Sequence, residues 1–320
     1  MDKLMNLIWI TMFLSFFLGI ALSTFTSQAT GVTVVQYIIF ILGCSAIIAV
    51  IIFRKHREGI IRVATDYYGF VIIFLASAML TDPLLSYLGF TGLLFVTLFT
   101  LLCGLIVLLY DLFWEKYLNA FSIYTSAIVG AWIGASTSLE IVILLFIGFC
   151  VYDILAVFRS KLMRNLVLRV LKAKTVPPLF FTDMNLKDVL DRLEGKQDPK
   201  KIIKGNLLGG GDTLLGSMFP VAATIAYSIP IGFFVMIGGL AGIWLNFSIV
   251  KKRNVGLPAL PVICTCEFGF LAIPLFLSSI GLGSILLAII IIGVTYYAID
   301  RMAIRQAIKI AKLKAIEDAV

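Results

Sequence analysis

Carboxylates that persist in apolar surroundings demand a reason, because one placed near a bilayer centre costs a few kcal/mol even on a lenient insertion scale. Of the 18 acidic residues, most lie in polar connections or at the ends of apolar runs, but Asp153, Asp212 and Glu267 are embedded. Asp153 sits in Phe149-Cys150-Val151-Tyr152-Asp153-Ile154-Leu155-Ala156-Val157-Phe158, with Arg159 the first basic residue beyond it, ~9 Å away at helical rise. Asp212 closes the segment Gly209-Gly210-Gly211-Asp212, downstream of Lys204 by at most ~12 Å if helical. One apolar run descends to a basic flank and the next climbs from it, so the two carboxylates reach a similar depth. Brought close, such a pair holds one proton between them and offers an acid and a base at once. One carboxylate then activates water while the other protonates a carbonyl oxygen. This chemistry needs no metal and no other cofactor. His56 is the sole histidine and lies in a basic stretch, which excludes a histidine triad and a zinc site, and no embedded lysine is present to activate a serine.

Two further clusters lie at the same depth. Gly209, Gly210 and Gly211 weaken helix just before Asp212 and leave a backbone that another chain can approach closely. Irregular backbone at membrane depth is tolerated where it lines a wet cavity or pairs with protein. An extended peptide adding a short strand there would expose its bond to attack. The segment Gly256-Leu257-Pro258-Ala259-Leu260-Pro261 opens a later apolar run, and its paired prolines impose an extended start rather than mid-helix geometry. Glu267 lies about two helical turns beyond Leu260 and is expected to be a protonated, hydrogen-bonded structural carboxyl.

The elements that must position these residues are membrane spans. Of the 320 residues, 61% are hydrophobic and 14% charged, and the mean hydropathy is +1.06; a soluble domain carries roughly a quarter charged residues. The apolar runs are Leu4–Leu22, Val32–Phe53, Tyr67–Leu88, Gly92–Phe113, Leu118–Ser136, Leu139–Phe158, Leu207–Tyr227, Ile231–Val250, Leu260–Leu277 and Gly281–Ile299. Each approaches the ~20 residues needed to cross a bilayer as a helix. The third is the least regular, interrupted by Asp82-Pro83. The first run lacks a cleavage site leading into a soluble domain and is expected to be retained as a helix.

Charge tests this count. With the N-terminus cytoplasmic, every one of the 26 Lys and Arg residues falls in a connection or terminus on the cytoplasmic side, as the positive-inside rule requires. The opposite connections, Ser23–Gly31, Gly89–Thr91, Thr137–Ser138, Ser228–Pro230 and Ser278–Ile280, contain none. The reading is an all-α polytopic membrane protein of ten spans with both termini cytoplasmic. Its parts are an N-terminal bundle (1–158), a cytoplasmic loop (159–206), four further spans (207–300) and a basic amphipathic tail (301–320) that either lies on the anionic membrane surface or is solvated. The net charge of +8 therefore points to a membrane surface and not to nucleic acid. The five cysteines, Cys44, Cys103, Cys150, Cys264 and Cys266, all fall in apolar runs without zinc-site spacing and read as small buried hydrophobes. The loop carries Pro177-Pro178 and an amphipathic stretch, Met184 to Leu193.

Taken together, Tyr152-Asp153 in the sixth run, Gly209-x-Gly211-Asp212 in the seventh and Pro258-Ala259-Leu260 opening the ninth resemble the presenilin and signal peptide peptidase family of intramembrane aspartyl proteases. The resemblance extends from the first run through the ninth. It implies a nine-helix core to which this chain adds a tenth span. It implies that Asp153 and Asp212 are the catalytic pair. Tyr152, Gly209, Gly210, Gly211, Pro258, Ala259 and Leu260 would support the active site and the substrate. The implied substrates are transmembrane proteins or peptides in the lipid bilayer. A cytoplasmic 159–206 loop looks like presenilin rather than signal peptide peptidase, whose orientation is reversed, and favours substrates with cytoplasmic C-termini. Presenilins are cut in this loop during maturation, and nothing in residues 159–206 shows whether this chain is. Small microbial relatives imply no partner subunits, which leaves room for a homo-oligomer without requiring one. Short loops and no organelle signals point to a prokaryotic plasma membrane. The rival reading is a proton- or cation-coupled transporter using the same aspartates. Against it, the glycine break occurs once and has no counterpart in the first half.

Overall fold

A computed structural model describes residues 2–26, 58–159, 168, 180–182, 188–189, 207–253, 257–277 and 282–317. The helices are α1 (Asp2–Thr26), α2 (Glu58–Tyr87), α3 (Gly92–Ser136), α4 (Leu139–Ile154), α5 (Gly210–Ala226), α6 (Ile229–Arg253), α7 (Leu260–Leu277) and α8 (Leu282–Glu317). A two-stranded ribbon, β1 (Phe180–Thr182) and β2 (Leu207–Gly209), is the one departure from an all-helical chain among the described residues. The second apolar run, Val32–Phe53, and nearly all of the 159–206 loop lie outside the described residues, including most of Met184–Leu193.

Among the described residues six segments are long and apolar enough to cross a membrane: Leu4–Ser23, Gly69–Tyr87, Gly92–Phe113, Lys116–Ser136, Leu139–Val157 and Ile229–Lys252. Large side chains left facing outward, such as Leu93, Leu101, Leu112, Leu144, Ile147 and Trp244, are apolar. A surface that meets hydrocarbon has this composition.

Three expectations change on contact with the structure. Asp82-Pro83 does not interrupt the third run, because α2 is continuous through Tyr87; Pro83 falls near the helix end, where few backbone bonds remain to be lost. The seventh run is not helical throughout. Leu207–Gly209 forms β2, and α5 begins only at Gly210, spanning about 26 Å. The tail is not separate from the tenth run, since α8 continues unbroken to Glu317.

The chain divides into two compact units: Met1–Ser136 with Met163–Leu214, and Thr137–Leu162 with Leu215–Val320. In the first, α3 packs against α1 and α2. Ala76, Ile128 and Val129 form a buried cluster covered by Leu18, Met79, Leu80, Ile133 and Leu214. Helix α3 joins two spans at Tyr117, whose φ of −118° and ψ of 29° are not helical. Tyr110 and Phe121 have ring centroids 5.2 Å apart, whereas eleven residues of straight helix would separate them by ~16 Å, so the chain folds back here. In the second unit, α7 packs against α4, α6 and α8. Ile299 and Ala303 of α8 close a cluster with Ile249, Val262 and Cys266.

Candidate active site

Helix α4 ends at Ile154 and passes into a π-helical turn, Leu155–Arg159. Such wide turns are uncommon and recur at functional sites. Asp153 stands two residues before the start of this turn and is only 8% exposed. Its Oδ2 accepts a hydrogen bond from the Leu260 backbone N–H at 3.2 Å, and the Ala259 N–H is directed at the same carboxyl. The sequence explains this. Proline has no N–H, so between Pro258 and Pro261 only Ala259 and Leu260 carry amide donors, and both serve Asp153. The first N–H groups of a helix have no intrahelical partner, and here they find a carboxylate. The Pro-Ala-Leu segment thus does more than shape an extended start to α7: it orients Asp153 through main-chain bonds. Pro258, Ala259 and Leu260 are all buried.

Aromatic packing joins the helices around this segment. Phe146 lies 5.7 Å from Phe219, and Phe219 lies 5.0 Å from Phe268, centroid to centroid. The three rings connect α4, α5 and α7 with edge and tilted contacts of the favoured kind. Tyr152, next to Asp153, is 44% exposed.

Asp212 belongs to the first unit and sits, partly buried, in the opening turn of α5, where a negative side chain suits the helix dipole. Its carboxyl folds back over β2. A Cβ added at Gly209 would stand 3.2 Å from Asp212 Oδ2, whereas one added at Gly211 would meet nothing within 4 Å. The two glycines of this motif therefore answer to different constraints. Gly210 is held by its carbonyl, which accepts hydrogen bonds from Thr213 Oγ1 at 2.9 Å and Ser126 Oγ at 3.3 Å. The two hydroxyls are themselves 3.4 Å apart. Ser126 comes from α3, so a side-chain bond to another helix steadies the turn that carries Asp212.

Strand β2 pairs antiparallel with β1, placing Phe180 opposite Gly209, Phe181 opposite Leu208 and Thr182 opposite Leu207. Asn119 of α3 meets Thr182 twice, its Nδ2 donating to the Thr182 carbonyl at 2.8 Å and its Oδ1 accepting from the Thr182 N–H at 3.1 Å. Phe181 and Leu208 are buried.

Sequence reasoning missed Ser126, Thr213 and Asn119. A signal existed for the first: Ser122, Thr125 and Ser126 are hydroxyls in one turn of an apolar span, and all three are fully buried. Glu267 departs from expectation in the other direction. It is fully buried, yet neither carboxyl oxygen has a hydrogen-bond partner among the described residues. Cys103, Cys150, Cys264 and Cys266 are free thiols. Among the described residues no group of three or more His, Cys, Asp or Glu side chains is arranged to hold a metal ion.

Comparisons with known proteins bear on this arrangement. No curated protein matched in sequence. Among solved structures, a presenilin family intramembrane aspartate protease is similar, with a TM-score of 0.56 at 20% identity, covering 86% of this chain and 97% of that one. At that identity the likeness establishes a shared fold. The model for the family described as signal-peptide peptidase, presenilin aspartyl protease matches residues 5–279. The match runs from the first span through α7 and stops before α8. It supports protease activity in an integral membrane protein and does not favour the transporter reading. The chain belongs to the signal-peptide peptidase and presenilin family of aspartyl proteases.

Proposed function

We propose that the protein hydrolyses peptide bonds within transmembrane segments of other proteins, with Asp153 and Asp212 as a two-carboxylate acid and base. The observation that carries this reading is the treatment of Asp153: a carboxyl in a membrane span, nearly buried, held by the only amide donors between two prolines. A span does not retain and orient such a group for packing alone. In the reaction, the ionised member of the pair takes a proton from water as oxygen attacks the scissile carbonyl. The protonated member gives its proton to the carbonyl oxygen. Collapse of the tetrahedral diol breaks the C–N bond, and the amine leaves with a proton returned through the pair.

Each supporting residue has a place in this scheme. Ala259 and Leu260 orient Asp153, while Ser126 and Thr213 hold the turn that presents Asp212. Gly209 gives the Asp212 carboxyl room, and Gly211 leaves open space beside it for a bound chain. Tyr152, exposed beside Asp153, is placed to line the substrate. The ribbon ending at Gly209 is a template for an extended segment, which must unwind from helix before its bond can be attacked. The distribution of basic residues supports a cytoplasmic N-terminus and 159–206 loop, and a prokaryotic plasma membrane suits the short connections.

The test is direct. Purified protein in bicelles is incubated with a transmembrane peptide beside Asp153→Asn and Asp212→Asn, and products are read by mass spectrometry. Cleavage by the parent and by neither variant is expected. Cleavage that survives either substitution overturns the carboxylate pair.

A further inference from the structure

Asn119 has no part in the reaction as written, yet it makes an unusual contact. A carboxamide side chain carries N–H donors and a carbonyl acceptor side by side, much as a peptide group does. Both go to one residue of β1, the Thr182 carbonyl at 2.8 Å and the Thr182 N–H at 3.1 Å. A neighbouring strand would offer Thr182 the same two bonds. Asn119 therefore stands where a third strand would stand. It does so from a rigid place, just beyond the sharp bend at Tyr117 in α3. The same helix supplies Ser126, about two turns on, whose hydroxyl bonds to the Gly210 carbonyl. The two side chains of α3 thus reach opposite ends of one short structure: Thr182 of β1, and the start of α5 directly after β2.

A two-stranded ribbon has two edges, and an unpaired edge is a template for any extended chain. With strands of three residues, little else in the ribbon enforces which edge is used. We propose that Asn119 is a positioning residue for substrate: it closes the β1 edge at Thr182 and pins the ribbon to α3, so that an extended transmembrane segment joins β2. Strand β2 ends at Gly209, against which the Asp212 carboxyl is folded. An edge chosen in this way sets which substrate bond lies opposite the carboxylate, so Asn119 acts on register rather than on chemistry. The inference rests on the aspartyl-protease reading above and adds a residue to it.

Three measurements on the full-length protein test it. Asn119→Ala removes both bonds, and Asn119→Asp keeps the acceptor for the Thr182 N–H while removing the donor. Thermal unfolding reports whether each variant folds; should Asn119→Ala not fold, Asn119→Asp carries the test. With a transmembrane peptide, Asn119→Ala is expected to raise KM by about tenfold, the worth of one to two hydrogen bonds. It is also expected to spread the cut over neighbouring bonds, with kcat changing less. Asn119→Asp is expected to fall between parent and Asn119→Ala. A folded variant that keeps the parent's KM and single cut position overturns the proposal, and leaves the protease reading intact because Asp153→Asn and Asp212→Asn are assayed beside it. The third measurement does not depend on turnover. In Asp212→Asn, hydrogen exchange is compared with and without the peptide. Protection gained at 207–209 that is lost on adding Asn119→Ala supports the proposal, and protection gained at 180–182 instead overturns it.

Discussion

At the scale of single residues, the two candidate carboxyls draw on different features of the chain. Asp153 is oriented by main-chain donors, and the Asp212 carboxyl has room because Gly209 lacks a side chain. A methyl group at Gly209 would press on Asp212 Oδ2 from 3.2 Å and displace it by a few tenths of an ångström. Misplacement of a reacting group by ~1 Å can cost a hundredfold, so Gly209→Ala is expected to lower kcat about tenfold at unchanged melting temperature. Gly211→Ala meets open space in the first turn of a helix, where alanine is favoured by up to ~1 kcal/mol. Its melting temperature should be unchanged or raised, and any loss of cleavage should appear in KM, read by a substrate titration. Glu267 gives a third expectation. A buried polar group without a hydrogen bond costs ~1–3 kcal/mol on mutational evidence, so Glu267→Leu should raise the melting temperature by several degrees with cleavage retained. Loss of cleavage in a folded Glu267→Leu protein would show instead that the carboxyl takes part in the reaction. Asp153 and Asp212 were legible as candidates because a charge in an apolar run stands out. The partners of Asp153 were not, since main-chain donors leave no mark beyond the prolines that flank them.

At the scale of elements, legibility followed length. Among the described residues, long runs such as Leu139–Phe158 and Ile231–Val250 became helices close to their expected bounds, Leu139–Ile154 and Ile229–Arg253. The ribbon was not legible. Three residues are too few to show a period of two, and the partner of Leu207–Gly209 lies across a polar loop. Gly209–Gly211 did announce a break, and the helix begins inside that triplet at Gly210. The helix of the tenth run continues into the basic tail for a local reason. Charge changes at Asp300 and Arg301, but no Gly or Pro follows Gly293, so nothing in the chain stops the helix there. Helix contacts also depend on residues that hydropathy does not distinguish. On α6, a Cβ at Gly242 would stand 2.6 Å from the Ile263 Cα of α7. Gly242→Ala must push the two backbones apart, a strain of ~1–3 kcal/mol. A lower melting temperature is expected, and with it reduced cleavage, because the shifted helix carries the Leu260 amide. Cleavage at parent level from a destabilised Gly242→Ala protein would show that the bond to Asp153 tolerates this shift.

At the scale of the whole molecule, the family match over residues 5–279 stops short of α8, and the separation of all 26 basic residues from alternate connections was visible without a structure. Between membrane helices there is little hydrophobic drive, and association depends on close packing. Ile299 and Ala303 of α8 supply such packing to Ile249, Val262 and Cys266, on the helices α6 and α7. A chain ending after Ile280 is therefore expected to unfold at a lower temperature and to cleave more slowly than the parent, measured by thermal scan and peptide assay. Parent-like values in both would mean that α8 serves only as an anchor.

The continuity of α8 has a mechanical consequence. Its 36 residues make a rod about 54 Å long, while hydrocarbon is ~30 Å thick. Even a tilted rod projects past one face of the bilayer, and it is gripped midway, at Ile299 and Ala303. A rod held at an inner fulcrum is a lever: a load on its basic far end, from a charged surface or a docked protein, bears on the two helices at the fulcrum. One of them begins with the amides that hold Asp153.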